Sequence, residues 1–198
     1  MNRLGYAIGQ LAGLVRRFAK SGEATAAIEF AAVMPVMLLM YLGSLELSDA
    51  ISVDQRVTNV AGTVGDLVAR ENGEITATDL SDYFQAATAI LSPFPTTTLT
   101  QVVTLVAVSN TGVTTVKWSQ PYNGGTAKTV GQAYPATNAI PAAMLNISHN
   151  NYIIVSEASY SYKPLLGWFF KNSFNLYHQN FYLPRYAKII CYDTATCS

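Results

Sequence analysis

The sequence predicts an α+β protein: a long N-terminal helix leading into an antiparallel β-sheet with one further helix. Three observations carry this. From Phe30 to Leu45 the chain has no charged residue. From Val57 to Val68 apolar residues recur at three-and-four spacing, as on one face of a helix. Beyond Thr98 the pattern changes to β-branched runs broken by turn residues. At 198 residues there is room for a membrane anchor and one domain. Charged residues make up only 12% and mean hydropathy is +0.21, values that suit a single-span protein. Twelve basic residues balance twelve acidic ones, so a general attraction to nucleic acid is not indicated.

The first segment is a basic leader. Leu4, Ile8, Leu11, Val15 and Phe18 fall at helical spacing beside Arg16, Arg17 and Lys20, and Ser21-Gly22 interrupts them. The apolar run follows. Counted from Thr25 it is about 20 residues, which at a rise of ~1.5 Å spans roughly 30 Å, one bilayer core. Arg3, Arg16, Arg17 and Lys20 precede it, whereas Glu46, Asp49 and Asp54 follow it. Positive charge is retained on the cytoplasmic side, so the expected orientation is N-terminus in and C-terminus out. A cleaved secretory signal competes, with small residues in Ser48-Asp49-Ala50. The long positive leader and Glu46 inside that cleavage region argue against it.

The helix is expected to continue past the span to about Glu71, roughly 70 Å in all. Leu47, Ile51, Val57, Val60, Ala61, Val64, Leu67 and Val68 form the apolar face. Asp49, Ser52, Gln55, Arg56, Asn59, Thr63, Asp66 and Arg70 form the other, and Asn72-Gly73 supplies a C-cap. Pro35 lacks a backbone donor and calls for a kink or local loosening. Gly62 and Gly65 cost helicity but permit close packing. A second helix is predicted from Asp79 to Leu91, capped by Asp79 or Thr78 and stopped by Ser92-Pro93-Phe94-Pro95. Thr98 to Ser109 and Val113 to Trp118 read as a hairpin around Asn110-Thr-Gly112, and Pro121 to Pro135 as a loop. Pro141 to Leu145 has room for one helical turn. Tyr152 to Tyr162 and Phe174 to Ile190 read as two long antiparallel strands. Between them the turn from Leu165 to Phe170 is apolar. It is buried against the first helix, touches the membrane surface, or meets a partner. The many aromatics of this C-terminal third are expected to fill the core of the sheet. The resulting domains are 1–24 (leader), 25–72 (long helix, membrane-spanning to about residue 46) and 73–198 (extracytoplasmic α+β).

Little in the chain suggests catalysis. Ser148-His149 and Asp193 form no recognisable nucleophile–base arrangement, and there is no nucleophile elbow or phosphate-binding glycine loop. Tyr122 to Thr126 contains glycines but joins no strand to a helix. His149 and His178 have no ligand-spaced company, so neither metal nor cofactor is expected. The Asn146-Ile-Ser148 sequon is of a kind common by chance and carries no weight. Cys191 and Cys197 are the only cysteines, and on the exported side of a membrane such a pair favours a disulfide. Closing so short a loop stabilises by about 2 kcal/mol, chiefly by tying down the tail.

Glu29 is the feature that calls for a function, because an ionisable group in a membrane segment costs a few kcal/mol, less near an interface. Its surroundings resemble the TadE-like minor pseudopilins of bacterial tight-adherence (Flp-type) pili. The resemblance rests on Arg16-Arg17-Phe18, Ala26-Ala27-Ile28-Glu29-Phe30-Ala31, Met34-Pro35 with the Leu/Met run, and Leu42-Gly43-Ser44-Leu45-Glu46-Leu47. It covers about 50 residues closely, with a weaker echo in Tyr160 to Leu165 and Leu183-Pro184-Arg185.

The resemblance implies a pilin-like fold and an inner-membrane precursor cut on its cytoplasmic face by a prepilin peptidase. In such precursors the glutamate is commonly the fifth residue after the cut. That makes Thr25 the new N-terminus and Ala24 the residue before the bond. The family usually has glycine there, whereas here Gly22 lies two residues too early. Cleavage between Ala24 and Thr25 is the first reading, between Gly22 and Glu23 the second, and no processing the third. Glu29 and Phe30 would then be the recognition pair for the peptidase. The Glu29 carboxylate would complement the new helix N-terminus and pair with the α-amino group of a neighbouring subunit, fixing axial register. The implied role is to support assembly of an adhesive pilus, hence adhesion and biofilm, with other pilins and the assembly machinery as partners. The alternative is a membrane-anchored periplasmic binding module, with an unprocessed leader and a ligand pocket in the sheet domain.

Overall fold

The computed structural model describes residues 13, 22–164, 167 and 172–193, without the side chains of 22–24. Helix α1 runs from Gly22–Ala69 as 48 residues with Pro35 inside it. Strand β1 (Glu74–Ile75), helix α2 (Ala77–Thr88) and a 3-10 turn (Ala89–Leu91) follow. Then come β2 (Leu99–Val108), β3 (Thr114–Tyr122), a 3-10 turn (Ala136–Asn138), α3 (Ala142–Ile147), β4 (Asn151–Tyr162), β5 (Phe174–Tyr182) and β6 (Cys191–Tyr192). The contacts divide the chain into two units, Met1–Ser48 and Asp49–Ser198.

In the first unit the side chains of α1 from Ile28 to Tyr41 are largely exposed: Ile28 is 65% accessible, Phe30 66% and Met40 71%. A run of bare Leu, Met, Val and Phe has no stable place in water, and suits a surrounding of lipid.

The second unit is an α+β domain. Four antiparallel strands lie in the order β3-β2-β4-β5. The α1 residues Val53, Val57, Val60, Ala61, Val64 and Val68 are fully or almost fully buried, and pack with Leu99, Val103, Leu105, Ile154 and Ala158 of the sheet. A smaller cluster of Val106, Val108, Val116, Tyr134, Ile140, Ile153 and Val155 forms separately, with Met144 and Leu145 of α3 against it. With apolar clusters on two sides, β2 is buried almost throughout. That explains why it reads as a continuous Val/Leu run and not as an alternating one.

Gly65 shows why glycine is needed in α1. A Cβ there would lie 2.5 Å from Cε2 and 2.6 Å from Cδ2 of Tyr182, and 3.0 Å from Cβ of Ser156. The helix backbone therefore meets β4 and β5 at a distance only glycine allows, as its spacing suggested.

Several boundaries differ from the sequence reading. The apolar face of α1 in this unit begins at Val53, which the reading omitted, while Leu47 and Ile51 are exposed. Helix α2 starts at Ala77. Its cap is Thr76, and neither Thr78 nor Asp79: Asp79 occupies the third helical position and completes a capping box with Thr76. The last residues of the predicted helix, to Leu91, form the 3-10 turn. Strand β3 runs on through Pro121, which pairs with Val102, so the loop begins later than expected. Proline is tolerated because β3 is an edge strand. Beyond Tyr182, the predicted long strand gives way to an irregular segment that begins with Leu183-Pro184. The chain then returns as β6, pairing parallel with β1, Glu74 opposite Cys191 and Ile75 opposite Tyr192. Trp118 Nε1 donates to the Ile190 carbonyl at 2.7 Å and fastens this return to β3. The aromatic core is only partly as expected: Tyr160 and Tyr162 are buried, Tyr177 is only partly covered at 41% exposure, and Tyr186 is exposed. The leader residues Arg3, Arg16, Arg17 and Lys20 and most of the apolar turn, including Leu165 and Trp168 to Phe170, lie outside the described residues.

Candidate functional site

The residues singled out by the sequence lie in the first turns of α1. Gly22, Glu23, Ala24 and Thr25 are all helical, so helix is already present before the expected Thr25. Glu29 is consequently at least the eighth residue of the uncut helix, beyond the first turn, where the backbone dipole no longer favours a carboxylate. Only a chain beginning at Thr25 would bring Glu29 near a helix terminus. Glu29 and Phe30 are both exposed, side by side with Ile28 and Val33. Among the described residues no hydrogen bond or ion pair holds the Glu29 carboxylate. A bare carboxylate among bare apolar side chains is open to an interaction outside the monomer. From Thr25 to Ala69 the helix contains an 18-residue window of mean hydropathy 1.8, none of it buried. By length and composition it can cross a membrane.

Residues 24–65 match the family model described as TadE-like protein. Over these residues the helix is similar to that family. No curated protein and no solved structure matches the chain. The TadE-like segment begins at Ala24, contains Glu29 and the whole uncharged run, and ends at Gly65, the glycine that touches Tyr182. It thus takes in the exposed helix and most of the part that packs on the sheet. The sheet itself lies beyond the match.

Of the proposed disulfide, Cys191 is disulfide-bonded in β6, and Cys197 lies outside the described residues. The Ser148-His149 pair is structural at its serine: Ser148 is wholly buried and its Oγ donates to the Met144 carbonyl at 2.6 Å. Among the described residues no three His, Cys, Asp or Glu side chains come together as a metal set.

Sequence reasoning missed a polar cluster on β4. Glu157 is 4% exposed in the middle of the strand. Lys128 Nζ lies 3.0 Å from its carboxylate, Asn138 Nδ2 donates to it at 3.2 Å, and the Tyr177 hydroxyl donates a short hydrogen bond. Burial and the neighbouring Glu157 charge push the Tyr134 hydroxyl well above its usual range; burial and the hydrogen bond to Glu157 do the same for Tyr177. A cavity of about 200 Å³ lies beside this cluster. Its members come from a loop, a 3-10 turn and two strands, so no sequence spacing announces them. Nearer the start of the unit, Arg56 Nη1 donates to the carbonyls of Ile90 at 2.8 Å and Ser92 at 2.5 Å, and its guanidinium stands 5.9 Å from the Phe94 ring. Arg56, read as part of a solvated face, is instead a clamp between α1 and the turn after α2.

Proposed function

We propose that this chain is a single-pass minor pseudopilin that supports assembly of a tight-adherence pilus through helix packing, with no chemistry of its own. The observation that carries the reading is the coincidence of the TadE-like match with an exposed apolar helix bearing one exposed carboxylate, Glu29, that has no partner among the described residues. A core helix would bury those side chains. A simple anchor would have no use for the carboxylate. In this reading Arg16, Arg17 and Lys20 stay in the cytoplasm and the α+β domain lies outside. A prepilin peptidase cuts between Ala24 and Thr25, with Gly22-Glu23 as the alternative bond. Cutting after Ala24 makes Glu29 the fifth residue of the new chain, and creates an α-amino group that a neighbouring Glu29 can pair with. That pairing sets the axial register of adjacent helices.

Two measurements test it. The intact mass of the membrane-extracted protein gives the processed bond, and a full-length species in cells with active peptidase removes processing from the proposal. Glu29→Gln keeps shape and removes charge; it is expected to abolish or sharply reduce surface pili while the protein remains membrane-bound. Normal piliation would overturn the register role.

A further inference from the structure

The start of the α+β unit carries a cavity whose lining does not belong to the pilus reading. Its volume is about 370 Å³, within the lower range of small-ligand sites, and Asp49, Phe94, Pro95, Tyr160, Tyr162 and Lys163 are among its walls. The apolar walls are held in place. Phe94 lies under the Arg56 guanidinium, and the backbone N–H of Phe94 donates to the Leu91 carbonyl at 3.0 Å. Tyr160 and Tyr162 are each 4% exposed, and the Tyr162 ring meets Phe174 edge-on at 5.4 Å. Thr98 Oγ1, also in the lining, donates to the Ser161 carbonyl at 3.1 Å. Upon this fixed aromatic wall stand two exposed charges of opposite sign, Asp49 and Lys163. Among the described residues neither has an ion-pair partner. An apolar cavity bounded by one carboxylate and one ammonium, neither paired among the described residues, is complementary to a zwitterion of moderate size.

We infer that this cavity binds the headgroup of an aminophospholipid, with the Lys163 ammonium donating to its phosphate and the Asp49 carboxylate accepting from its primary amine. The aromatic rings offer the amine a further electrostatic contact and the glycerol carbons an apolar surface. The source of the zwitterion follows from position along one helix. Asp49 comes three residues after Glu46, which ends the uncharged run, a rise of about 4.5 Å. A headgroup at the edge of the span is therefore within reach. This inference rests on the reading of α1 as a membrane anchor. Its consequence is that the sheet domain is moored to the bilayer surface by lipid chemistry as well as by the helix.

The test uses the full chain in detergent micelles, observed by native mass spectrometry with equal amounts of phosphatidylethanolamine, phosphatidylglycerol and phosphatidylcholine. Phosphatidylethanolamine is expected to be retained above the others, because only it supplies both a phosphate and a hydrogen-bonding ammonium. Lys163→Met and Asp49→Asn should each weaken retention about tenfold, the loss of one charge-assisted contact. Equal retention of phosphatidylglycerol, or variants that bind like the parent with an unchanged melting transition, would overturn the inference. So would competition by inorganic phosphate as strong as by glycerophosphoethanolamine, which would mark an anion site only. Failure of the anchor reading is separately visible as a chain that stays in solution without detergent. In that case binding of soluble glycerophosphoethanolamine, followed by saturation-transfer NMR, still decides whether the cavity takes the headgroup.

Discussion

Gly65 illustrates how much a single residue can decide here. Its missing side chain leaves room for the Tyr182 ring, and any Cβ would overlap that ring at 2.5–2.6 Å. Gly65→Ala should gain about 1 kcal/mol of helix propensity but lose about 1–3 kcal/mol to overpacking, because the Tyr182 ring and the Ser156 Cβ both stand against the new methyl. A fall in Tm of a few degrees is expected by thermal denaturation, with substantial recovery in Gly65→Ala/Tyr182→Leu. An unchanged or raised Tm in the single variant would mean that Tyr182 swings aside freely. At Gly62 the same substitution meets Tyr182 and Asn180 only at 3.5 Å and 3.6 Å, ordinary contact, and should be better tolerated. Glu157 is a second residue-scale decision. A buried carboxylate in mid-strand survives because Lys128, Asn138 and Tyr177 converge on it.

The same hydrogen bonds join elements to one another, and pH can be used to read them. Tyr83 of α2 donates to Glu71, just past the end of α1, and that hydrogen bond, with burial, pushes its hydroxyl from 10.0 up to about 12. Tyr177 of β5 is raised in the same direction by burial and by Glu157 of β4. A raised phenol favours the neutral form in the folded chain, so its contribution to stability is complete below pH 10. It is lost as pH climbs from 10 toward 12, where the unfolded chain can ionise and the folded one resists. Urea unfolding between pH 8 and 11.5 should therefore show a plateau followed by a fall above pH 10. Tyr83→Phe and Tyr177→Phe should each flatten that fall, although each costs its hydrogen bond at neutral pH. An equally steep fall in both variants would assign alkaline sensitivity elsewhere. Element boundaries follow the same logic of local partners. Thr76 and not Thr78 caps α2 because Asp79 answers it across three residues, a reciprocity visible in the sequence Thr76-Ala-Thr-Asp79 but open to a competing reading one turn later.

For the molecule as a whole, the two halves of α1 are governed by different solvents. The residues from Ile28 to Tyr41 are exposed and apolar, and the residues from Val53 to Val68 supply the helix wall of the α+β core. A chain beginning at Asp49 keeps that wall and discards the exposed apolar stretch. It should therefore be soluble without detergent and melt cooperatively, whereas the full chain should sediment with membranes and require detergent for release. A truncated chain that aggregates like the full one would show that the domain, and not the helix, is responsible for membrane association.

By itself the sequence determined the features that depend on spacing along the chain. The uncharged run bounded by Glu29 and Glu46, the helical period from Val57 to Val68, the hairpin around Asn110-Thr-Gly112 and the glycines of α1 are all of this kind, because each arises from neighbours within a few turns or strand repeats. Only the tertiary structure decided what depends on residues far apart. Breaking β5 before Leu183-Pro184 let the chain return as β6 beside β1, where Trp118 receives it. Lys128 was brought to Glu157, Arg56 to the Ile90 and Ser92 carbonyls, and Asp49 to the same cavity as Lys163. Side chains such as these meet because the sheet and the helix over it close upon one core, and nothing in their separation along the chain records that meeting.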